Sequence, residues 1–385
     1  MKILAANEQL EHVGGMETYL AAFVDAMRSR GHEVRVATEH SAGKSWCPEG
    51  ITVVSLSTMA QAGLTKWKPD VVLCNPLSDP QLEERLIEIA PVVFFAHTFY
   101  GTCVSGTKMH AFPAKTPCSR RFGYPCLALY LPRRCGGLNF LTALSLFYKE
   151  RRRLCILGRV RRIVVASHFM ERELIRNGID RASIEVVSLP LTGIAVAPHS
   201  EASPPTVLFL GRLTKVKGVD LLFDAVALLA RGGRRIRVVV AGDGAERARL
   251  MRRAARLGIE AEFLGWVSTA RRQELLQSAA CLAMPSVWPE PFGLVGLEAV
   301  SAEVPVAAFD SGGIREWLVP GLNGEVALAD PPTAAAFARA LERALALRHT
   351  WESTREQRTK LLERSTPQNH FDRMESILTA CARLG

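Results

Sequence analysis

The sequence predicts an α/β protein with two doubly wound, Rossmann-like domains that face each other across a cleft. Strands and helices alternate in two separate series, and a stretch rich in proline and serine divides them. The chain has 385 residues, whereas single hydrophobic cores rarely grow beyond about 250–300 residues. No apolar run reaches the roughly 18 residues that a transmembrane helix needs. We therefore expect two globular domains.

The first domain is predicted over residues 1–190, and it opens with a strand at residues 2–6. Gly14 and Gly15 come next and lead into a helix over residues 16–28. A glycine pair between a first strand and a first helix is typical of nucleotide-binding βαβ units, because the backbone there must approach a ligand closely. Further strands are expected at residues 33–37, 51–56, 71–74, 92–95 and 163–166.

A linker rich in proline, serine and alanine is predicted at residues 191–205, and the second domain follows over residues 206–366. A C-terminal helix at residues 367–385 is expected to pack back on the first domain. The strands of the second domain are predicted at residues 206–210, 236–241, 261–263, 281–284 and 304–309. Its helices are predicted at residues 218–230, 245–257, 297–303, 335–347 and 350–364.

The N-terminus has no charged segment followed by a long apolar one, so we expect a cytoplasmic protein without a signal peptide. Several of the nine cysteines fall in apolar strand or helix patterns, which are typical of reduced thiols in a core. These are Cys74, Cys281 and Cys381.

Two carboxylates flank a turn between a strand and a helix in the second domain. Glu290 precedes Phe292, Gly293 and Leu294, and Glu298 follows on the helix. The first N–H groups of a helix have no intrahelical partner, so this turn offers amide donors to an anion. The carboxylates could then meet hydroxyl groups of a sugar and a ribose.

A basic loop follows the first strand of the second domain. Gly211 and Arg212 open it, and Lys217 lies just before the next helix. The guanidinium fork and the mobile ammonium suit two phosphates. A solvated basic loop is the alternative, but the carboxyl ends of parallel strands are where open α/β sheets bind ligands.

Three further glycine motifs are weaker taken singly. Gly242 and Asp243 follow one strand, Trp266 and Val267 follow another, and Gly312 follows a third. Tight turns or core positions explain each of them equally well.

Taken in order, these motifs resemble those of the retaining GT-B glycosyltransferases of the GT4 type, the glycosyl transferases of group 1. The resemblance rests on Gly211-Arg212 with Lys217-Gly218, on Gly242-Asp-Gly, Gly265-Trp266 and Pro285-Ser286, on Glu290-Pro-Phe-Gly-(x)4-Glu298, and on Gly312-Gly-Ile-Arg-Glu. It covers the second half of the chain and the Gly14–Gly15 turn of the first.

The resemblance implies a role for each matching residue. Arg212 and Lys217 would neutralise the donor's diphosphate, Glu290 would contact the sugar, and Glu298 would bind the ribose. The amides of Phe292, Gly293 and Leu294 would hold sugar or phosphate. Gly15 would let the donor phosphates approach the first domain, and His97 would lie beside the transferred sugar. Gly211, Gly242, Asp243, Trp266 and Val267 would complete the donor site. Without the resemblance, a structural role for His97 is the simpler interpretation.

The implied activity is transfer of a hexose from a nucleotide-diphosphate sugar to a glycan, lipid-linked or small-molecule acceptor. Neither a protein nucleophile nor a metal ion is expected, since the cations stabilise the leaving group. The alternative is a non-catalytic protein on the same scaffold that binds sugar nucleotides or anionic glycans.

An insert at residues 98–162 departs from the common pattern. Between residues 101 and 162 it has thirteen basic residues and one acidic residue, a difference of +12 against +10 for the whole chain. Such a surface attracts anions, so we expect an acceptor site and a peripheral position on the inner face of the cell membrane. The alternative is a helix that packs on the sheet and turns a solvated basic face outward. No nucleic-acid-binding signature accompanies it, and no nucleic-acid partner is predicted.

The insert also contains four cysteines, Cys103, Cys118, Cys126 and Cys135. Unrelated thiols, a zinc or iron–sulfur site, and two disulfides are the three interpretations of them. Their spacing fits no tight Cys-x-x-Cys motif, so no metal or other cofactor is predicted.

Overall fold

A computed structural model of the chain describes residues 1–10, 15–39, 51–56, 67–191, 204–347 and 351–383. By their contacts the residues form two compact units. The first unit comprises Met1–Thr107, Arg120–Thr192 and Ser365–Gly385, and the second comprises Lys108–Ser119 and Gly193–Arg364. Each unit contains a parallel sheet of its own, so the predicted pair of α/β domains is confirmed.

In chain order, the described strands are β1 (Lys2–Asn7), β2 (Glu33–Thr38), β3 (Val53–Ser55), β4 (Val71–Cys74), β5 (Val92–Phe95), β6 (Met109–His110), β7 (Thr116–Pro117), β8 (Arg162–Val165), β9 (Ile184–Val186), β10 (Thr206–Leu210), β11 (Arg237–Ala241), β12 (Ala261–Gly265), β13 (Cys281–Met284), β14 (Val306–Phe309) and β15 (Gly324–Ala327).

The described α-helices are α1 (Gly15–Ser29), α2 (Pro80–Ile89), α3 (Pro125–Tyr130), α4 (Phe140–Leu157), α5 (His168–Arg176), α6 (Val219–Arg231), α7 (Arg247–Leu257), α8 (Thr269–Ser278), α9 (Leu294–Ser301), α10 (Ala334–Ala346), α11 (Arg355–Leu362) and α12 (Pro367–Ala382). None of these helices combines the length and the apolar character that crossing a membrane requires.

The first unit is built on a seven-stranded parallel sheet with the order β3-β2-β1-β4-β5-β8-β9. Its central strands β4 and β5 are buried throughout. Strands covered on both faces consist of continuous apolar residues, which is why the sequence marks them clearly. β9 escaped prediction because its three residues include a glutamate and form no apolar run.

The last helix, α12, packs against α1, β4 and β5 of the first unit. Phe371 and Met374 of α12 join the same hydrophobic cluster as Phe23 of α1. Helix α12 therefore contributes to the same hydrophobic core as α1.

The second unit contains a six-stranded parallel sheet with the order β12-β11-β10-β13-β14-β15. The chain runs outward from β10 through β11 to β12, and it then continues on the other side with β13. Strand order thus reverses between β10 and β13, and a crevice forms at such a switch point in open α/β sheets.

Helix α9 begins at Leu294, three residues before the predicted start. Gly293 precedes it with φ +83°, a left-handed conformation that glycine adopts without a steric penalty. Leu294 is therefore the first helical residue and not part of the turn. The helix ends at Ser301, and Glu303 beyond it has φ +61°.

Residues 108–119 differ from the expected domain boundaries. The sequence assigns them to an insert of the first domain, but they form an antiparallel hairpin, β6 and β7, within the second unit. Met109 of this hairpin is 5% exposed and belongs to the core of that unit. A two-residue strand has no periodicity to detect, so tertiary packing alone reveals this segment.

Candidate active site

The loops after β10 and β13 lie at the switch point of the second sheet, and they carry the cations and one carboxylate of the predicted donor site. Arg212 and Lys217 follow β10, and Glu290 follows β13. β10 and β13 are hydrogen-bonded neighbours, so their carboxyl ends lie side by side. The fold therefore brings the basic loop to the glutamate loop, as the sequence predicts for a ligand site at this edge.

Lys217 and Glu290 form a close ion pair. The ammonium Nζ lies 2.6 Å from Oε1 of Glu290, and it lies 4.9 Å from the ring centroid of Trp288. The Glu290 side chain is buried, whereas that of Lys217 keeps 23% of its surface exposed. The lysine can therefore reach a ligand from this position while the carboxylate and the aromatic ring hold it in place.

The turn that carries Lys217 is packed closely against the opposite loop. Gly218 has φ +66°, and a Cβ atom built on it would lie 2.0 Å from the carbonyl oxygen of Pro285. The Val216 carbonyl accepts hydrogen bonds from the amides of Val287 (3.0 Å) and Trp288 (3.3 Å). Glycine at position 218 thus allows a backbone approach that a side chain would prevent.

Arg212 is exposed, in contrast to Lys217. Within the part of the chain that the structure describes, no carboxylate lies within ion-pair distance of its guanidinium. An exposed arginine at a strand end, without a protein anion to neutralise it, is available to an anionic ligand.

The backbone of Glu290 is held by the loop after β14. Its carbonyl oxygen accepts a 2.6 Å hydrogen bond from the amide of Gly313, and residue 290 forms a parallel bridge with Gly312. The hydroxyl of Ser311 donates to the carbonyl of Trp288 at 2.8 Å. Gly312, singled out only weakly by the sequence, therefore supports the glutamate loop directly.

The turn before α9 presents the predicted amides of Phe292, Gly293 and Leu294. The carbonyl of Phe292 accepts a 2.7 Å hydrogen bond from the indole N–H of Trp317, which fixes the orientation of the peptide unit. Leu294 is the first residue of the helix, so its N–H has no intrahelical partner. This helix N-terminus lies beside Glu290 in the chain and retains donors for an anion or a sugar oxygen.

Glu298 occupies the buried face of α9. Its Oε1 lies 3.2 Å from the guanidinium of Arg272, whereas its buried Oε2 has no hydrogen-bond partner among the described residues. Burial raises the pKa of this carboxyl group, and Arg272 opposes the rise. A buried carboxylate oxygen without a partner is costly unless a ligand donates to it, and a hydroxyl group could do so.

The loops after β10, β11 and β12 are joined through their backbones. The amide of Gly242 donates to the carbonyl of Gly265 at 2.7 Å, and the amide of Gly211 donates to the carbonyl of Ala241 at 3.1 Å. Oδ1 of Asp243 accepts from the amide of Gly244 at 2.7 Å, so that side chain supports its own turn. Trp266 is 61% exposed, so its indole is a surface group and not part of the core. Val267 follows it and is half-buried.

The two remaining predicted residues, Gly15 and His97, belong to the first unit. Gly15 is the first residue of α1, and its neighbour Gly14 lies outside the described residues. His97 follows β5, and its Nε2 lies 3.0 Å from Oδ1 of Asn75 in the loop after β4. With the amide oxygen as acceptor, Nε2 carries the proton, and Nδ1 is left as the acceptor of the ring.

Aromatic side chains pack around His97. Its ring stacks on Phe95 with a centroid separation of 4.1 Å and meets the edge of Tyr19 at 5.6 Å. Burial, with a smaller contribution from His370, lowers the pKa of His97 to about 3. The imidazole is therefore neutral near pH 7 and can exchange hydrogen bonds with a ligand, but it does not supply positive charge.

Sequence reasoning missed the residues that support these groups. Asn75 directly follows a predicted strand, so the rule that open α/β sheets bind ligands at strand ends could have found it. Tyr19 and His370 lie in helices, and the contacts of Tyr19 with His97 and with His370 depend on how α1 and α12 pack. Arg272 gives no sequence signal at all, because its contact with Glu298 joins two separate helices.

The four insert cysteines are divided between the units. Cys103, Cys126 and Cys135 belong to the first, and Cys118 lies in the hairpin of the second. All four are thiols in the structure. Burial, followed by the proximity of Cys135 and Cys103, raises the pKa of the Tyr130 hydroxyl. In the described ranges, no group of three or more histidine, cysteine or acidic side chains is arranged to hold a metal ion.

Comparison with known proteins identifies the family. The model of the glycosyl transferases of group 1 matches residues 196–363, and that of glycosyltransferase family 4 matches residues 13–191. The phosphatidyl-myo-inositol mannosyltransferase of Mycobacterium tuberculosis is 34% identical over 351 residues, which cover 85% of this chain and 82% of that protein. An uncharacterized glycosyltransferase of Methanocaldococcus jannaschii is 38% identical over 121 residues, which cover 31% of this chain and only 30% of that protein.

Solved structures agree on the fold. HepE of Anabaena, in complex with UDP-glucose, superimposes with a TM-score of 0.67 at 17% identity, over 99% of this chain and 100% of that one. Together with the two parallel-sheet units, this similarity identifies the GT-B fold. The chain therefore belongs to the glycosyl transferases of group 1, within glycosyltransferase family 4.

Proposed function

We propose that this chain is a retaining hexosyltransferase that transfers a hexose from a UDP- or GDP-linked sugar without a metal ion. The observation that carries the proposal is the ion pair between Lys217 and Glu290, 2.6 Å apart at the switch point of the second sheet. Exposed Arg212 follows β10, the strand that also precedes Lys217. Two cations and one buried carboxylate at this edge suit a diphosphate joined to a polyhydroxylated group.

Charge development explains why the cations matter. As the bond between the sugar and the diphosphate breaks, negative charge accumulates on the leaving phosphate. Lys217 and Arg212 meet that charge from fixed positions, so they stabilise the transition state more than the bound donor. Their positive charge takes the place of a divalent cation.

The carboxylates position the donor. Once the diphosphate attracts Lys217, Oε1 of Glu290 becomes available to the hydroxyl groups of the sugar. Oε2 of Glu298, which is buried and meets no donor in the part of the chain that the structure describes, accepts from the ribose. The amides of Phe292, Gly293 and Leu294 bind the sugar or the phosphate. Gly211, Gly242, Asp243, Trp266 and Val267 line the nucleotide.

The bond changes need no protein nucleophile. The oxygen of an acceptor hydroxyl bonds to the anomeric carbon on the face from which the diphosphate departs, and its proton passes to the leaving phosphate oxygen. The configuration at the anomeric carbon is thereby retained. His97, neutral because its pKa is about 3, contributes a hydrogen bond to the transferred sugar and not a proton to the leaving group.

We assign the acceptor to the basic insert. Five large hydrophobic side chains are exposed around α3 and α4, with Leu138 at 72% and Leu141 at 74%. The others are Tyr124, Phe140 and Tyr148. Apolar groups beside many arginines suit the surface of an anionic membrane, and hence a lipid-linked acceptor on its cytoplasmic face. The name of the mycobacterial mannosyltransferase supports an acceptor of this class.

The test is a panel of UDP- and GDP-linked hexoses, assayed for transfer to lipid extracts and for slow hydrolysis. We expect one donor to react, and Lys217→Ala and Glu290→Ala to lower kcat by about 100-fold or more. Lys360→Ala and Glu356→Ala, exposed on α11 of the same unit, are the matched controls. Full activity in Lys217→Ala would refute the assignment, and donor binding without any reaction would favour the non-catalytic alternative.

A further inference from the structure

The hairpin of β6 and β7 is a short excursion of the insert into the second unit. The chain leaves the first unit after Thr107 and rejoins it at Arg120. Within the hairpin, His110 pairs with Thr116, and the amide of Cys118 donates to the carbonyl of Lys108 at 2.6 Å. Twelve residues form this excursion, Lys108–Ser119. They are too few to fold alone, so the segment owes its order to what it packs against.

The hairpin packs beside the turn that carries Lys217. Met109 is 5% exposed and shares a hydrophobic cluster with Leu213 and Val219. These two residues lie on either side of the turn at residues 214–218. The hairpin and the two residues that flank the turn therefore belong to one hydrophobic core.

Lys115 adds a polar contact to the turn itself. Its Nζ donates to the carbonyl oxygen of Lys215 at 3.3 Å, and it lies 3.8 Å from Oδ2 of Asp220 at the start of α6. The side chain of Lys115 is 37% exposed, so the contact is partly shielded from water. The ammonium thus links the turn to the first turn of the following helix.

The same turn is held from the opposite side. The carbonyl of Val216, next to Lys215, accepts from the amides of Val287 (3.0 Å) and Trp288 (3.3 Å). The amide of Lys217 donates to the carbonyl of Thr214 at 3.1 Å. Consecutive carbonyls are therefore fixed by different segments, Lys215 by the hairpin and Val216 by the loop that leads to Glu290.

We propose that Lys115 is a positioning residue for donor binding and that the hairpin braces the Lys215–Lys217 turn. This inference rests on the proposed role of Lys217 toward the donor's diphosphate. Because the turn is held on both sides, Lys217 has a fixed position before the nucleotide binds. Binding therefore costs less conformational entropy. The brace belongs to the same insert to which we assign the acceptor, so one segment serves both substrates.

Two measurements on the full-length protein test the proposal. The first is the affinity for UDP and for GDP by titration calorimetry. Lys115→Met should raise the dissociation constant about fivefold to tenfold, whereas Lys115→Arg should stay within about twofold of the parent. Lys149→Met, which removes one positive charge from α4 of the same insert, is the matched control and should match the parent.

The second is hydrogen exchange of the unliganded protein. Lys115→Met should speed exchange of the Lys217 amide about fivefold or more, with global unfolding unchanged. Unchanged affinity and exchange in Lys115→Met would overturn the proposal, as would equal losses in the Arg variant. Lys217→Ala in the same titration separates the two ideas. If Lys217→Ala binds nucleotide as well as the parent does, the proposed function is wrong. If Lys217→Ala weakens binding and Lys115→Met does not, only the proposed role of the hairpin is wrong.

Discussion

The side chains of Tyr19 and His370 meet through a 3.1 Å contact between the hydroxyl and Nε2, although 351 residues separate them. On its other side, Nδ1 of His370 lies 2.6 Å from the carbonyl oxygen of Ser188. A carbonyl can only accept, so Nδ1 carries the proton and Nε2 accepts from Tyr19. The C-terminal helix thus enters the first unit with a fully bonded, buried histidine directly behind the aromatic group that surrounds His97.

His370 and His97 should make the protein less stable in acid. Burial lowers the pKa of His370 to about 4 and that of His97 to about 3, from 6.5 in both cases. Between pH 6.5 and 4 the two histidines bind protons in the unfolded chain but not in the folded chain, so the free energy of unfolding falls as the pH falls. Each histidine contributes roughly 1.4 kcal/mol per pH unit within that window. In urea titrations, the free energy of unfolding of His370→Phe should fall less steeply with decreasing pH than that of the parent.

Equal slopes in the parent and in His370→Phe would contradict the assignment of a buried, neutral histidine at position 370.

Glu83 should give the opposite pH dependence. Burial raises its pKa to about 8, although the backbone amide of Leu77 and the nearby Arg153 act against the rise. The hydroxyl of Tyr100 bonds to its Oε2, and the Leu77 amide donates to Oε1 at 2.9 Å. Between pH 4.5 and 8 the folded chain holds a proton that the unfolded chain releases, so stability falls as the pH rises.

Glu83→Gln keeps the shape and the acceptor but cannot ionise. We expect this variant to lose the fall in stability between pH 4.5 and 8 and to exceed the parent in stability at pH 8, by denaturant titration. Glu88→Gln on the same helix, where the side chain is exposed, is the matched control. A variant less stable than the parent at pH 8 would show that Glu83 is needed as a carboxylate.

Much of the framework could be predicted from the sequence. Central strands such as β4, β5, β10 and β13 consist of short apolar runs, and their bounds match the prediction. The switch-point residues could be selected because Arg212, Lys217 and Glu290 follow such strands in an ordered set of motifs. The pairing of Lys217 with Glu290 depends on the strand order, because β10 and β13 are neighbours in the sheet.

Contacts that depend on packing between distant segments could not be predicted. The hairpin around Met109 has strands of two residues, too short for any periodicity. The approach of His370 to Tyr19 depends on where α12 docks, and the pairing of Arg272 with Glu298 depends on how two helices cross. Helix and strand patterns specify the buried face of each element but not the partner that covers it.

Gly312 should be required for the geometry of Glu290. A Cβ atom at this position would lie 2.2 Å from the carbonyl oxygen of Glu290, and φ is +71°. Gly312→Ala must therefore push the two loops apart, and we expect donor turnover to fall at least tenfold, by roughly 1.4 kcal/mol in transition-state binding. Gly321→Ala is the matched control, because its φ is +78° and its Cβ would meet nothing within 4 Å.

The control should cost about 1 kcal/mol in unfolding free energy, from backbone strain alone, and leave turnover unaffected. Thermal unfolding and donor turnover, measured on both variants, separate strain from displacement of the loop. Equal turnover in the two alanine variants would show that the contact between Gly312 and Glu290 has no bearing on the donor.

The exposed apolar groups of the insert should bind an anionic membrane. Leu138 lies just before α4 and Leu141 lies in its first turn, whereas Arg151 and Arg152 lie about three turns beyond Leu141 on the same helix. An apolar end can enter the headgroup region while the arginines meet lipid phosphates. Leu138→Ser with Leu141→Ser should weaken cosedimentation with phosphatidylglycerol vesicles about tenfold, and Arg151→Gln with Arg152→Gln should reduce its dependence on salt.

Met251→Ser with Leu257→Ser is the matched control, since both side chains are exposed on α7 of the second unit. These substitutions should leave vesicle binding unchanged. Binding of the parent to phosphatidylcholine vesicles should be weak, because neutral headgroups offer the arginines no net negative charge. If the insert variants and the α7 variants bind anionic vesicles equally well, the insert is not the membrane surface, and its arginines must serve a soluble anionic acceptor.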